Sequence, residues 1–306
     1  MRAIVVRGLA FALALALASC GKDDPPRRTT ATVVPLRIGT KNFPEAVLLG
    51  QLYTQALRAR GIPVELRPEV GSSEVIHKAL EKGALDMYPE YIGVLLSEVD
   101  KVTMRPAHAR AAYVLAKAME EARKLTLLEP TRLSNENALA VTRSFARRHE
   151  VRSIADLKRL HPRPILRAAP EFDARYEGQI GLKARYGLKL KLRPWNRAGV
   201  QYAELDRGKY HVAVVFTTDP QLDRGRYVLL RDPKAVFAKN HVAPLISQKA
   251  VSRYGPRLTE TLNGVSALLT TSVMRDLNAK LVDHRPKQVA DEFLRANDLA
   301  ATPHGP

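Results

Sequence analysis

Few side chains in this chain are placed to do chemistry. Cys20 is the only cysteine among 306 residues, and it follows a basic segment with Arg2 and Arg7, an apolar run from Leu9 to Ala18, and Ser19. That layout is a secretory leader, too short for a spanning helix. A lone thiol closes no internal disulfide and builds no sulfur-rich metal site, so its expected chemistry is attachment of a diacylglycerol after cleavage behind residue 19. The eight histidines are dispersed without a His-x-x-x-His pair, so neither metal nor cofactor is expected. There is no Gly-x-Ser-x-Gly elbow and no phosphate-binding glycine loop, and the paired Asp23-Asp24 lies in a polar, proline-containing stretch. These absences point away from an enzyme and toward residues that bind.

Binding residues need elements to hold them. Strand 36–39, a helix opened by Pro44 and stopped at Gly61, strand 63–69, a helix to Lys82 with Gly83 as its stop, and strand 85–88 alternate as an α/β sheet does. The grammar returns with a Ser153/Asp156 capping box, strand 164–167, helix 175–186, strand 188–192, a helix after Gly199 stopped at Gly208, and the apolar strand 211–216. Segments 72–91 and 197–216 align at constant offset: Val75 meets Val200, Leu80 meets Leu205, Gly83 meets Gly208 and Tyr91 meets Phe216. Each is helix, glycine, strand and terminal ring. Ligands of open α/β sheets sit at the carboxyl ends of strands, so Tyr91 and Phe216 are expected to reach one cleft from opposite sides. From Lys249 onward the pattern is helical, with Ser272 as an expected N-cap, and this tail is expected to cover the first lobe.

About 285 residues behind the leader exceed one ordinary core and predict two lobes. Removing residues 1–19 takes two arginines and no acid from a net charge of +18, leaving about +16. The basic residues are scattered, without a dense tract or recognition motif, which argues against nucleic acid and for attraction to an anionic membrane surface. No later stretch has the roughly 18 apolar residues that a bilayer crossing requires.

The strings Gly39-Thr40-Lys41-Asn42-Phe43-Pro44-Glu45, Gly71-Ser72-Ser73-Glu74-Val75, Asp86-Met87-Tyr88-Pro89-Glu90-Tyr91-Ile92-Gly93 and Phe216-Thr217-Thr218-Asp219 resemble the glycine betaine/choline/carnitine-type substrate-binding proteins of osmoprotectant ABC importers. The likeness runs from about residue 36 to 299. It implies a two-lobed type II periplasmic-binding-protein fold, each lobe a mostly parallel sheet flanked by helices, joined by two crossings near 133–138 and 213–219. The implied division is leader 1–19, lipid-anchored tether 20–34, first lobe 35–136 plus 217–302, and second lobe 137–216. The implied ligand is a quaternary ammonium or zwitterion held by ring faces, since a methylated cation donates no hydrogen bonds.

Carried over residue by residue, the resemblance makes Tyr91 and Tyr202 box tyrosines and puts Phe216 where the family has tyrosine. Lys41 and Arg175 fall where it supplies cations, and Asn42 and Thr218 lie within matching strings. Ser134-Asn135-Glu136-Asn137 departs from the pattern, with Asn137 replacing a ring; Ile92 and Val94 stand where threonines are usual. One ring fewer and one amide more favour a ligand with hydrogen-bonding groups. Phe43 and Phe172 read equally well as packing residues. The expected partners are a small cationic or zwitterionic solute, a separate permease with its ATPase, and a membrane through Cys20, with the protein monomeric, exported and facing the periplasm or exterior. Rival readings are a degenerate envelope sensor or adaptor, a receptor for an amino acid-like or ergothioneine-like solute, and an extracytoplasmic enzyme.

Overall fold

The structure, a computed structural model, describes residues 34–102, 106, 108–195 and 199–300. The expectations for the leader, for Cys20 and for the tether up to residue 33 lie outside them. β1 (Leu36–Lys41) leads through Phe43 into α1 (Pro44–Ala59), where a proline in the first turn costs no hydrogen bond and Leu48, Leu49, Leu52 and Leu57 are fully buried. β2 (Val64–Gly71), α2 (Ser73–Glu81) and β3 (Met87–Tyr91) follow. Gly83 stops α2 at φ 70°, a left-handed position that glycine adopts without cost. A short α3 (Ile92–Val94), α4 (Ala109–Glu121) and β4 (Leu125–Leu127) complete the first passage.

The chain then enters a second sheet. Its elements are β5 (Asn137–Thr142), α5 (Arg143–Arg148), β6 (Ile165–Ala168), α6 (Gly181–Tyr186), β7 (Lys191–Pro194), α7 (Val200–Asp206), β8 (Val212–Phe216) and β9 (Tyr227–Leu229). It returns as β10 (Val242–Ser247) and ends in α8 (Gln248–Tyr254), α9 (Pro256–Leu268), α10 (Thr271–Lys280) and α11 (Pro286–Arg295). The tail covers the first lobe: Leu262, Val265, Met274 and Leu294 pack into one buried cluster with the leucines of α1, and Tyr53 and Ser266 share a 2.9 Å hydroxyl hydrogen bond. Thr270, not Ser272, caps α10, its Oγ1 accepting from the Val273 N–H at 3.2 Å.

The two sheets have equivalent orders, β2-β1-β3-β10-β4 and β7-β6-β8-β5-β9. Both are mixed sheets with most strands parallel. In each, four strands run one way and one is reversed, β10 in the first and β5 in the second. β3 and β8 occupy the same central place, each following a helix and a left-handed glycine, Gly83 or Gly208.

The expected end of the second lobe at residue 216 is corrected. β9 pairs antiparallel with β5, and Leu230, Val236 and Phe237 belong to the second lobe's core. Residues 217–224 stay tied to the second lobe through Asp219, which accepts from the Tyr202 hydroxyl, and also touch α10, where Arg275 Nε donates to the Thr217 carbonyl at 2.7 Å and its Nη1 meets Asp223 at 2.7 Å. The later crossing is therefore near residues 238–241, not 213–219. It is knit to the earlier one by Asn240 N–H to Ser134 Oγ, 3.0 Å, and Asn135 N–H to the Asn240 carbonyl, 3.1 Å.

Candidate functional site

Strand ends from both sheets open on one cavity of about 730 Å³. Lys41 ends β1, Tyr91 ends β3 and Phe216 ends β8; Asn137 begins β5, and because β5 is reversed it pairs directly with Phe216 at the same edge. Phe172 and Arg175 come from the segment after β6, and Trp195 follows β7. This is the position at which α/β sheets hold ligands, and its size suits a small molecule.

The first-lobe wall is two rings backed by buried charge. Phe43 and Tyr91 lie 5.8 Å apart at 43°. Behind them Lys41 pairs with the fully buried Glu90 and sits 4.6 Å from the Tyr91 ring centroid. Glu90 also accepts from the Tyr91 N–H at 2.5 Å and the Tyr88 hydroxyl at 3.0 Å. Glu45, in the first turn of α1 where the helix dipole favours an anion, accepts from the Tyr91 hydroxyl at 2.7 Å, Asn135 Nδ2 at 2.9 Å and Asn278 Nδ2 at 2.8 Å. Burial, then the Glu45 carboxylate, hold the Tyr91 phenol well above its usual range, so it remains a neutral donor. The wall thus sets two carboxylates against one ammonium, a field that attracts positive charge. Lys41 is committed to Glu90 and is not a free partner for a ligand anion.

The second-lobe wall adds Phe216, 37% exposed, with Trp195 and Phe172, both buried. Amides of Asn42, Asn135, Asn137 and Asn240 also line the space. Asn240 Oδ1 accepts the Val94 N–H at 3.1 Å, and a Cβ on Gly93 would come within 2.4 Å of that oxygen, so the turn beneath this amide requires glycine. Along the same cavity, the Ser72 hydroxyl donates to Glu74 at 2.7 Å and, with the backbone N–H of Glu74 and then the charges of Lys101 and Arg175, keeps that carboxyl below its ordinary range. Among the described residues no group of histidine, cysteine, aspartate and glutamate has metal-holding geometry.

Six of the residues singled out from the sequence therefore meet here: Lys41, Asn42, Tyr91, Asn137, Arg175 and Phe216. Two do not. Tyr202 is buried in a separate cluster under the second sheet, edge-on to Tyr227 at 4.9 Å, its hydroxyl donating to Asp219 at 2.7 Å. α7 turns that ring inward because Tyr202 and Leu205, three positions apart, share the face packed on the sheet. Thr218 is buried, and its carbonyl accepts from Asn278 Nδ2 at 3.1 Å. Trp195, Asn240 and Glu45 were not foreseen. Trp195 was findable from its place just past a strand, by the same rule that selected Tyr91 and Phe216.

Residues 34–296 match the family described as the substrate binding domain of ABC-type glycine betaine transport systems. A glycine-betaine-binding protein of Pseudomonas aeruginosa is 30% identical over 277 residues, covering 86% of this chain and 88% of that one. A glycine betaine-binding protein of Escherichia coli is 26% identical, covering 85% and 90%. In fold, the crystal structure of a glycine betaine/carnitine/choline ABC transporter superposes with a TM-score of 0.77 at 23% identity, covering 86% of this chain and 99% of that one.

Proposed function

This chain belongs to the family of substrate-binding domains of ABC-type glycine betaine transport systems, and from that premise we propose that it captures a small quaternary-ammonium or zwitterionic solute between its lobes and presents it to a separate permease. The observation that carries this reading is the convergence of rings from both sheets, Phe43 and Tyr91 with Phe216 and Trp195, on one cavity backed by Glu45 and Glu90. Ring faces bind a methylated cation at about 0.5–2 kcal/mol each, more as water leaves, and the buried carboxylates add long-range attraction. A carboxylate on the solute has Arg175 and the amides of Asn42 and Asn137 to meet it, charge-assisted bonds being the stronger. A ligand touching both walls favours the closed form by its differential affinity for it.

Titration calorimetry with glycine betaine, choline, carnitine, ergothioneine and amino acids tests this. Saturable heat is expected for at least one methylated cation and for no purely anionic solute; silence across the panel refutes the reading. The amide-rich side favours solutes that also offer hydrogen-bonding groups, so the ranking within the panel reports how far Asn137 has retuned the site. The same reading anchors the receptor by a diacylglycerol on Cys20 as a monomer facing the periplasm or exterior. Membrane fractionation of Cys20→Ser, expected to release the protein, checks the anchor. No described helix is long and apolar enough to cross a membrane.

A further inference from the structure

The charge of this protein is lopsided. Residues 137–240, which hold all five strands of the second sheet, carry 22 lysines and arginines against 10 aspartates and glutamates, a net +12 out of the chain's +18. In sequence these residues are dispersed; in the fold several come together at the turn between α6 and β7. Lys158 Nζ lies over Gly187, 3.5 Å from where a Cβ would stand. Lys234 Nζ donates to the Arg185 carbonyl at 2.7 Å while Arg185 Nε donates to the Lys234 carbonyl at 3.0 Å. Arg163 Nη1 reaches the Lys189 carbonyl at 3.3 Å, and the Lys183 carbonyl accepts the Gly187 N–H at 2.9 Å. All six side chains, Lys158, Arg163, Lys183, Arg185, Lys189 and Lys234, are exposed, and none has a carboxylate within ion-pair distance among the described residues.

Six basic side chains gathered on one end outnumber the acids beside them, Asp232 hydrogen-bonded to Tyr186 and Asp173 in the same cleft as Lys189, and the excess weakens the fold by self-repulsion, which makes a partner of opposite charge the economical explanation. We propose that this end of the second lobe is an electrostatic docking surface for anionic lipid headgroups, which holds the receptor against the bilayer in which its permease works. Point charges on exposed stems suit headgroups, which approach from a plane. Strand-like polymers are gripped by grooves with stacking platforms, and Tyr186, the ring that Lys234 covers at 5.2 Å, is buried. The surface shares no residue with the cavity, so its test is independent of which solute binds.

Each basic side chain near an anionic membrane contributes roughly a fivefold gain in partitioning, felt only within a Debye length. The test is co-sedimentation of the full-length Cys20→Ser chain with vesicles of phosphatidylcholine alone and with phosphatidylglycerol added. Binding is expected only to the anionic vesicles above the level common to both, and it should fade in high salt. The triple variant Lys158→Gln, Lys183→Gln, Lys189→Gln should lose about 100-fold of that partitioning. The charge-matched control Arg60→Gln, Lys82→Gln, Lys249→Gln in the first lobe should lose little. An unchanged far-ultraviolet circular dichroism spectrum of the triple variant shows that it folds. Equal losses in both triples overturn the proposal, as does equal binding to both vesicle types; retention on heparin in that second case assigns the surface to an anionic polymer instead.

Discussion

Phe216 and Tyr91 end equivalent strands, yet they stand differently toward solvent. Tyr91 is buried and tied through its hydroxyl to Glu45, whereas Phe216 is the most exposed ring of the pair and supports little of the core. Phe216→Ala is therefore expected to leave denaturant stability within about 0.5 kcal/mol and to weaken solute binding by roughly 2–30-fold, the worth of one ring face. Calorimetry and urea melts on one preparation separate the two effects, and a large stability loss with intact binding would place the ring in the core. At this scale the sequence was most legible where a residue's place followed from strand polarity. Tyr202 was misplaced because its role came from a string match, whereas the helical face shared with Leu205 decided where it points. Glu45 was invisible because its partners, Asn135 and Asn278, lie about 90 and 230 residues away.

α2 and α4 are joined by a buried ion-pair network. His77, on α2, meets the fully buried Glu120 of α4 at 2.9 Å, with Glu81, Arg123 and Asp100 around them. Burial opposes the imidazolium, but the hydrogen bond and charge of Glu120, then the charge of Glu81, outweigh it and raise the His77 pKa above its unfolded value of about 6.5. The stability this linkage supplies is fully present below about pH 6.5 and is lost as pH rises through the folded value. His77→Gln should accordingly cost about 1–3 kcal/mol at pH 5.5 and less at pH 9, measured by urea melts at both; equal costs at the two pH values would exclude a charged His77. Element reading from sequence succeeded where helix, glycine and strand followed one another and failed at β10. Pro244 stands opposite Pro89 inside a central strand, where proline ordinarily argues against a strand. Two prolines cannot exchange N–H bonds, so their rung must be one that uses none between them. β9, three residues long, is too short for any periodicity to register, and the lobe boundary was misjudged with it.

Across the whole molecule, the proposed function has two lobes share one ligand, and they should then share its stabilisation. A solute at about 100-fold excess over its Kd adds roughly 2.7 kcal/mol to a protein that binds it only when folded. Denaturant melts with and without glycine betaine should show that gain in a single transition; two transitions, of which one moves, would mean that one lobe holds the solute alone. The two-lobed plan was readable from length and from the repeated strand unit, and the equivalent strand orders of the sheets account for why that comparison worked.

Those orders also carry a consequence for biosynthesis. All five strands of the second sheet lie between residues 137 and 229, so that half can assemble once its own segment has emerged. The first sheet has a gap: β10 sits between β3 and β4, and about 115 residues follow β4 before it arrives. Until then a nascent chain presents two unfilled edges, the kind of surface that pairs with the wrong neighbour. The later-made half should thus be the first to finish, and the half begun first the one that depends on protection while it waits.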